Sequence, residues 1–267
     1  MKLIFLSNPY KDKAQELTPR LASLAAERGI EAELVNGSEG LSALMASGCS
    51  DALCIVTIGG DGTILRAMHL ASRSKIPVLG INMGRVGFFS EICSDEFEKA
   101  LDMLLAGSYW VEERTMLKCF VNGEYVGDCL NDYSIHRQEL SSIVQLDLTI
   151  DGDEVGNVMA DGLIVATPTG STAYTMSAGG PVVAPKLNCI LVTPVCPHSL
   201  TVRPIVAADD SVVEAEVMSV CRLSEDGQNI RILKPGDTVT VMRSEHQAGF
   251  IRFSKRNVFN LLRKKLQ

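Results

Sequence analysis

Apolar residues in the first 110 positions fall into two kinds of run. "KLIFLS", "EAELV", "ALCIVTI" and "IPVLGI" are short and dense, and read as strands. "ALCIVTI" is nearly all apolar, as expected of a strand covered on both faces. Residues 11–28 instead repeat at helical spacing, with Leu17, Leu21 and Leu24 on one face and Gly29 placed as a C-terminal stop. "TILRAMHLAS" and "DEFEKALDMLLAG" read as two more helices. Strands alternating with helices predict parallel pairing through crossover connections, a doubly wound α/β sheet.

The period changes near residue 112. "LKCFVNGEYVGDC" sets Asn-Gly between two strand-like runs, a strong hairpin signal. "SIVQLDLTIDGDEVGN" alternates with period two, and "GLIVAT", "NCILVTPV", "LTVRPIVA", "SVVEAEVM", "NIRIL" and "TVTVMRS" follow between turns. Many short strands at this spacing predict a β-sandwich-like layer with no helix inside it. Helical periodicity returns only in "KRNVFNLLRKKLQ", which needs a surface to bury Val258, Leu261 and Leu262. The expected architecture is therefore α/β plus all-β. Residues 1–112, joined by 251–267, form the first domain and residues 113–250 the second.

Composition narrows the functions available. The 267 residues carry a net charge of −7, which gives no general attraction for nucleic acid or an anionic membrane. "MKLIFLSNPY" turns polar after a few residues, and no run reaches the roughly 18–20 apolar residues of a membrane span. A cytoplasmic protein is the expectation, with neither nucleic acid nor membrane as partner. None of the eight cysteines forms C-x-x-C or lies near a histidine at zinc-site spacing. They are expected to be small buried hydrophobes in a reducing compartment, and no protein-held metal cluster is expected.

"TIGGDGTILR", residues 57–66, carries the first chemistry. Gly59 and Gly60 leave a buried strand at its carboxyl end, where α/β sheets bind ligands. Glycines permit positive φ and close approach of backbone N–H groups to an anion, and Thr63 is placed to cap the following helix. The loop is neither a P-loop nor a dinucleotide fingerprint. Asp61 would repel a phosphate, unless the loop transfers a phosphoryl group. A carboxylate there can accept the proton of an attacking hydroxyl and help hold Mg²⁺. Although a carboxylate is a weak base for an alcohol, the transition state is loose and orientation matters more than basicity.

Two further stretches are polar in the β-rich half. "ADGLIVATPTGSTAYTMSAGGPVV", residues 160–183, offers hydroxyls and amides for a base or ribose, with Tyr174 available to lie against a flat ring. In "LNDYSI", Asn131 can pair with an adenine edge and Asp132 can accept from sugar hydroxyls. Taken alone, each stretch is better explained as a polar turn between strands, the Asn-Asp pair most of all.

Together, "GGDGT", "ND" and the long 160–183 stretch resemble the NAD kinase family, as do "GINMGRVGFF" and "PHSLTVRPIV". The resemblance covers most of the chain. It implies transfer of a phosphoryl group from ATP, with Mg²⁺ or another divalent metal, or from polyphosphate, to the 2′-hydroxyl of the adenosine ribose of NAD. It casts Asp61 as proton acceptor, with Gly59, Gly60, Gly62 and Thr63 facing phosphate and Arg66 one turn on. Asn131, Asp132 and Asp161 would meet the dinucleotide. Thr172, Ala173, Tyr174, Thr175, Met176 and Ser177 would surround the adenosine end, and Gln228 would make a polar contact. A homodimer or homotetramer is implied. Many members carry a basic residue where this chain has Met159. G-G-D-G also occurs in diacylglycerol and sphingosine kinases and in phosphofructokinases. The first two require an apolar acyl pocket and the last a second doubly wound domain; a non-catalytic nucleotide sensor would keep the fold without the chemistry.

Overall fold

The structure is a computed structural model. It describes residues 1–7, 12–35, 40, 44, 51–84, 87–139, 142–199, 201–255, 259–260 and 262–263. The chain divides into two compact units, Met1–Glu113 with Gln247–Gln267, and Arg114–His246.

In the first unit, β1 (Lys2–Ser7), β2 (Glu31–Val35), β3 (Ala52–Ile58) and β4 (Val78–Asn82) run parallel in the order β2-β1-β3-β4. β5 (Ile92–Cys93) pairs with β4, which also takes Phe250 opposite Val78. Because side chains alternate across a strand, this sheet has two apolar faces. Leu3, Phe5, Val56, Leu79 and Ile81 meet α1 (Asp12–Glu27) and α3 (Phe97–Leu105) through Leu21, Ala25, Phe97, Leu101 and Leu104. The other face takes α2 (Asp61–Ser74): Ile64 lies where a side chain on Gly80 would stand. Helices on both faces make the sheet doubly wound, as the alternation of runs predicts.

The second unit is a sandwich of antiparallel sheets. One runs β13 (Ile205–Ala208), β12 (Cys189–Val195), β11 (Gly162–Ala166), β8 (Asp132–Arg137), β15 (Cys221–Glu225) and β16 (Gln228–Leu233). Facing it are β10 (Asp153–Ala160), β9 (Val144–Ile150), β14 (Val213–Val217) and the first half of β17 (Thr238–Arg252), with the hairpin of β6 (Trp110–Val121) and β7 (Glu124–Cys129). Tyr133, Ile135, Leu163, Val165 and Leu223 from the first sheet pack on Leu146, Leu148, Ala215, Val217 and Val239 from the second. The β6–β7 turn holds Asn122 at φ 52° and Gly123 at φ 79°, the left-handed pair that a two-residue hairpin demands.

Several expectations need correction. The β-rich half contains short helical pieces, a 3-10 turn at Gly170–Thr172 and α4 (Tyr174–Ser177). At three and four residues they are too short to show a period. β15 was not anticipated, because Arg222 and Ser224 interrupt its apolar run. Of the described cysteines, Cys54, Cys119, Cys129, Cys189 and Cys221 are buried, but Cys93 is half-buried and Cys196 exposed; all seven are free. Burial pushes the thiols of Cys54, Cys119 and Cys221 up to about 12. Cys49 lies outside the described residues, as do Val258 and Leu261 of the terminal helix, of which Phe259, Asn260, Leu262 and Arg263 are helical. No described helix is long and apolar enough to cross a membrane.

Candidate active site

The Gly-Gly-Asp-Gly loop joins β3 to α2. Gly59 donates its N–H to the Ile81 carbonyl at 3.0 Å. Neither Gly59 nor Gly60 has positive φ, so conformational freedom is not what requires them. At Gly59 the requirement is space, since a Cβ would overlap Thr63 Oγ1. Gly60 (φ −99°, ψ −174°) is the residue before the helix, and the space beside it and beside Gly62 is open. Thr63 is not the cap: its N–H donates to the Gly60 carbonyl at 2.9 Å, inside the first turn. The helix starts three residues earlier than the capping argument placed it, which turns the Thr63 hydroxyl inward, buried and unpaired.

Asp61 thus heads α2. Its Oδ2 accepts from the Phe88 N–H and its Oδ1 from the Phe89 N–H, each at 3.2 Å. A Cβ on Gly87 would overlap this carboxylate, so a glycine at 87 is what lets the 87–89 backbone close over it. Ser90 Oγ accepts from the Gly87 N–H at 2.7 Å and from Asn82 Nδ2 at 3.4 Å, bracing the segment from within.

Arg252, at the end of β17, braces it from the far side. The side chain is fully buried. Its NH1 donates to the Phe89 carbonyl at 3.0 Å and to Glu91 Oε2 at 3.2 Å, and its Nε to Glu112 Oε2 at 2.8 Å. The Phe253 N–H closes on Glu91 Oε1 at 3.0 Å, and the Phe89 ring stacks on Phe250 at 5.7 Å. Arg66 is half-buried on α2 and makes no hydrogen bond or ion pair with the described residues.

The second unit contains a cavity of about 710 Å³ on the outer face of the β8–β15–β16 region. β8 explains its polarity. Tyr133 and Ile135 point into the sandwich core, so Asp132, Ser134 and His136 alternate onto the opposite face and line the cavity. Asn131, Asp161, Ala173 and Tyr174 line it too. Asn131 Oδ1 is buried without a hydrogen-bond partner. Burial, and then the charge of Asp226, raise the Asp132 carboxyl to about 7. Asp161 accepts from Arg137 NH1 at 2.9 Å. Met159 is exposed, so the cation beside Asp161 comes from the neighbouring strand. Ser224 Oγ donates to Asn229 Oδ1 at 2.8 Å and lies 2.7 Å from His136 Nε2.

Gly59, Gly60, Asp61, Gly62, Thr63 and Arg66 therefore belong to the first unit, and Asn131, Asp132, Asp161, Ala173 and Tyr174 meet around one cavity in the second. Thr172, Thr175, Met176 and Ser177 are not among the cavity's lining residues. Thr172 Oγ1 donates back to the Thr169 carbonyl at 3.4 Å, and Thr175 is fully buried. Gln228 is exposed and pairs with Glu225, off the cavity, while Gly227 and Asn229 on either side of it line the space. The sequence reading missed His136, Arg137, Asp226 and Asn229. Polar residues at every second place of "DYSIHR", between core residues, were the available signal.

Comparison with known proteins agrees over both units. Residues 3–109 match the ATP-NAD kinase N-terminal domain, and residues 130–253 match the ATP-NAD kinase C-terminal domain. The chain belongs to the NAD kinase family. It is 38% identical to the NAD kinase of Chlorobaculum tepidum, covering 100% of this chain and 96% of that one. It is 38% identical to the NAD kinase of Methanothermobacter thermautotrophicus, over 95% and 92%. Among solved structures, an NAD kinase from Archaeoglobus fulgidus in complex with ATP superposes with TM-score 0.81 at 29% identity, over 99% and 98% of the two chains. Yeast NADH kinase complexed with NADH gives TM-score 0.88 over 100% and 87%; at 24% identity this likeness is one of fold.

Proposed function

We propose that this member of the NAD kinase family transfers the γ-phosphoryl group of ATP to the 2′-hydroxyl of the adenosine ribose of NAD, yielding NADP. The observation that carries the reading is Asp61, a carboxylate held by two backbone amides at the head of a helix within a glycine loop. The two amides fix the direction of the carboxylate, and a carboxylate fixed in this way can accept a hydroxyl proton. The open positions at Gly60 and Gly62 let phosphate oxygens approach the first-turn N–H groups, where the helix dipole favours negative charge. Arg66 follows one turn on in the same helix, as a second proposed contact for the anion.

Asp61 receives the proton as the 2′-oxygen attacks. Positioned acid–base help of this kind is worth about 10²–10⁴ in rate. A divalent ion, Mg²⁺ or another, fits as part of the nucleotide: Mg²⁺ commonly binds through one or two carboxylates and substrate phosphates, and Asp61 is the loop's carboxylate. When bound, it would draw charge from the transferring phosphoryl group. Backbone amides read phosphate rather than adenine, so inorganic polyphosphate is the second donor to test.

The cavity in the second unit is the proposed NAD site, with Asn131, Asp132, Asp161 and Tyr174 as its contacts. Its polar lining disfavours an acyl chain, and the antiparallel sandwich is not the second doubly wound domain of a sugar kinase. We also propose a cytoplasmic homodimer or homotetramer. Exposed Ile230 and Ile232 on the edge strand β16 support self-association, which light scattering tests. The direct assay offers ATP with NAD, a diacylglycerol or fructose 6-phosphate. NADP formation with the other two acceptors inert is the expected result, and phosphorylation of the lipid or sugar instead would overturn it.

A further inference from the structure

Asp226 lies in the turn between β15 and β16, at φ 47° beside Gly227 at φ 80°. A turn residue of this kind normally faces solvent. Here its carboxylate reaches back to the strand carrying the proposed NAD contacts. Oδ2 accepts from the Leu130 N–H at 3.0 Å. Oδ1 accepts from the Asn131 N–H at 2.7 Å and the Asp132 N–H at 3.2 Å. The Asp226 N–H returns a bond to the Asp132 carbonyl at 3.0 Å. Three consecutive amides and a carbonyl are thus tied to one residue from about 95 positions along the chain.

The segment so held is unusual. Asn131 keeps a buried oxygen with no partner, and Asp132 keeps a buried carboxyl for which the structure shows no side-chain hydrogen bond. Left alone, a backbone at this point would relax until those groups found partners or water. Gly170 makes the same point from the other side: a Cβ there would overlap the Asn131 carbonyl, so the segment has no room to shift in that direction.

We propose that Asp226 is a positioning residue for NAD. Its carboxylate clamps the Leu130–Asp132 backbone and so holds the Asn131 and Asp132 side chains unpaired and aimed at the dinucleotide. The proposal rests on the reading of this cavity as the NAD site. The clamp works through hydrogen bonds to charged oxygen, the stronger kind. It has an electrostatic consequence as well, since the same charge acts on Asp132. His136, Arg137, Glu139 and Asp161 are the other charged or titratable side chains of the cavity besides Tyr174.

Asp226→Asn puts an NH₂ group opposite a backbone N–H and removes the charge. The expected result is a KM for NAD raised at least ~10-fold, with the KM for ATP and kcat within about threefold of the parent. A carbon-13 carboxyl titration of the ligand-free variant, run where circular dichroism shows it folded, should also show Asp132 ionising at a lower pH than in the parent, as loss of the Asp226 charge requires. Asp226→Glu keeps the charge and should leave that titration closer to the parent's. A folded Asp226→Asn with the parental NAD KM overturns the clamp, whatever its Asp132 titration. Asn131→Ala and Asp132→Asn serve as references. If both bind NAD as the parent does, the NAD-site reading fails; if both weaken it and Asp226→Asn does not, only the clamp fails. Should Asp226→Asn not fold, amide exchange in the parent decides. Leu130, Asn131 and Asp132 protected before NAD is added support the clamp, and protection appearing only with NAD overturns it.

Discussion

Asp61 and Arg252 grip the two ends of one residue's backbone: the Phe89 N–H donates to the Asp61 carboxylate and the Phe89 carbonyl accepts from the Arg252 guanidinium. A buried arginine at the end of the last long strand thereby sets the position of an acid in the first helix after the glycine loop. Breaking the pair should disturb both fold and chemistry. Arg252→Met leaves Glu91 and Glu112 without their shared guanidinium in a buried setting, a change that typically costs about 3–5 kcal/mol. Urea unfolding should show that loss; a midpoint at the parental value would mean the ion-pair cluster holds little of the fold.

Gly87→Ala tests the same loop from its other edge. The added methyl group would overlap the Asp61 carboxylate and must push the 87–89 backbone away from it. Overpacking of this sort costs about 1–3 kcal/mol in stability. The greater effect should fall on turnover, at least ~10², because misplaced acid–base groups lose their advantage. Steady-state kinetics giving a parental kcat would show that Asp61 need not be held.

Asp132 should couple stability to pH. In the unfolded chain its carboxyl ionises near ~4, whereas in the fold it holds its proton up to about 7. Between these values the folded state binds more protons, so its contribution to stability is complete below about 4 and declines as pH rises to 7. The total is on the order of 2–4 kcal/mol. Asp132→Asn does not titrate and should escape the decline. Ligand-free variant and parent should differ more in melting temperature at pH 8 than at pH 5, in the variant's favour. An equal difference at both pH values would contradict the raised carboxyl.

Asn131→Ala separates binding from folding. The variant removes a buried oxygen that has no partner in the ligand-free protein, so stability should hardly fall. Affinity for NAD should drop by ~1–3 kcal/mol, because a ligand donor loses its acceptor. Calorimetry finding unchanged affinity would take Asn131 out of the site.

Much of this was legible in the sequence because the signals were local. The strand-helix alternation before residue 112 and the hairpin turns after it are properties of a few neighbouring residues, and the fold class follows from them. Asp61 stood out because a carboxylate in a glycine loop shaped for phosphate would repel the ligand unless it served chemistry beyond the helix start. What stayed hidden depends on contacts far apart in the chain. Arg252 meets Phe89 across 163 positions and Asp226 meets Asn131 across 95, and neither partner shows anything unusual alone. Gly59 illustrates a subtler limit: the residue type was noticed, but the reason for it, room for Thr63, needed the turn of the helix. Gln228 was chosen by motif, while strand alternation set its neighbour Asn229 toward the cavity instead.

The central claim is that Asp61 takes the proton of the 2′-hydroxyl, and turnover by Asp61→Asn tests it most directly when NAD binding is measured on the same preparation. The account predicts a kcat lower by at least ~10² with NAD affinity within about threefold of the parent. NADP formation at the parental rate would contradict it.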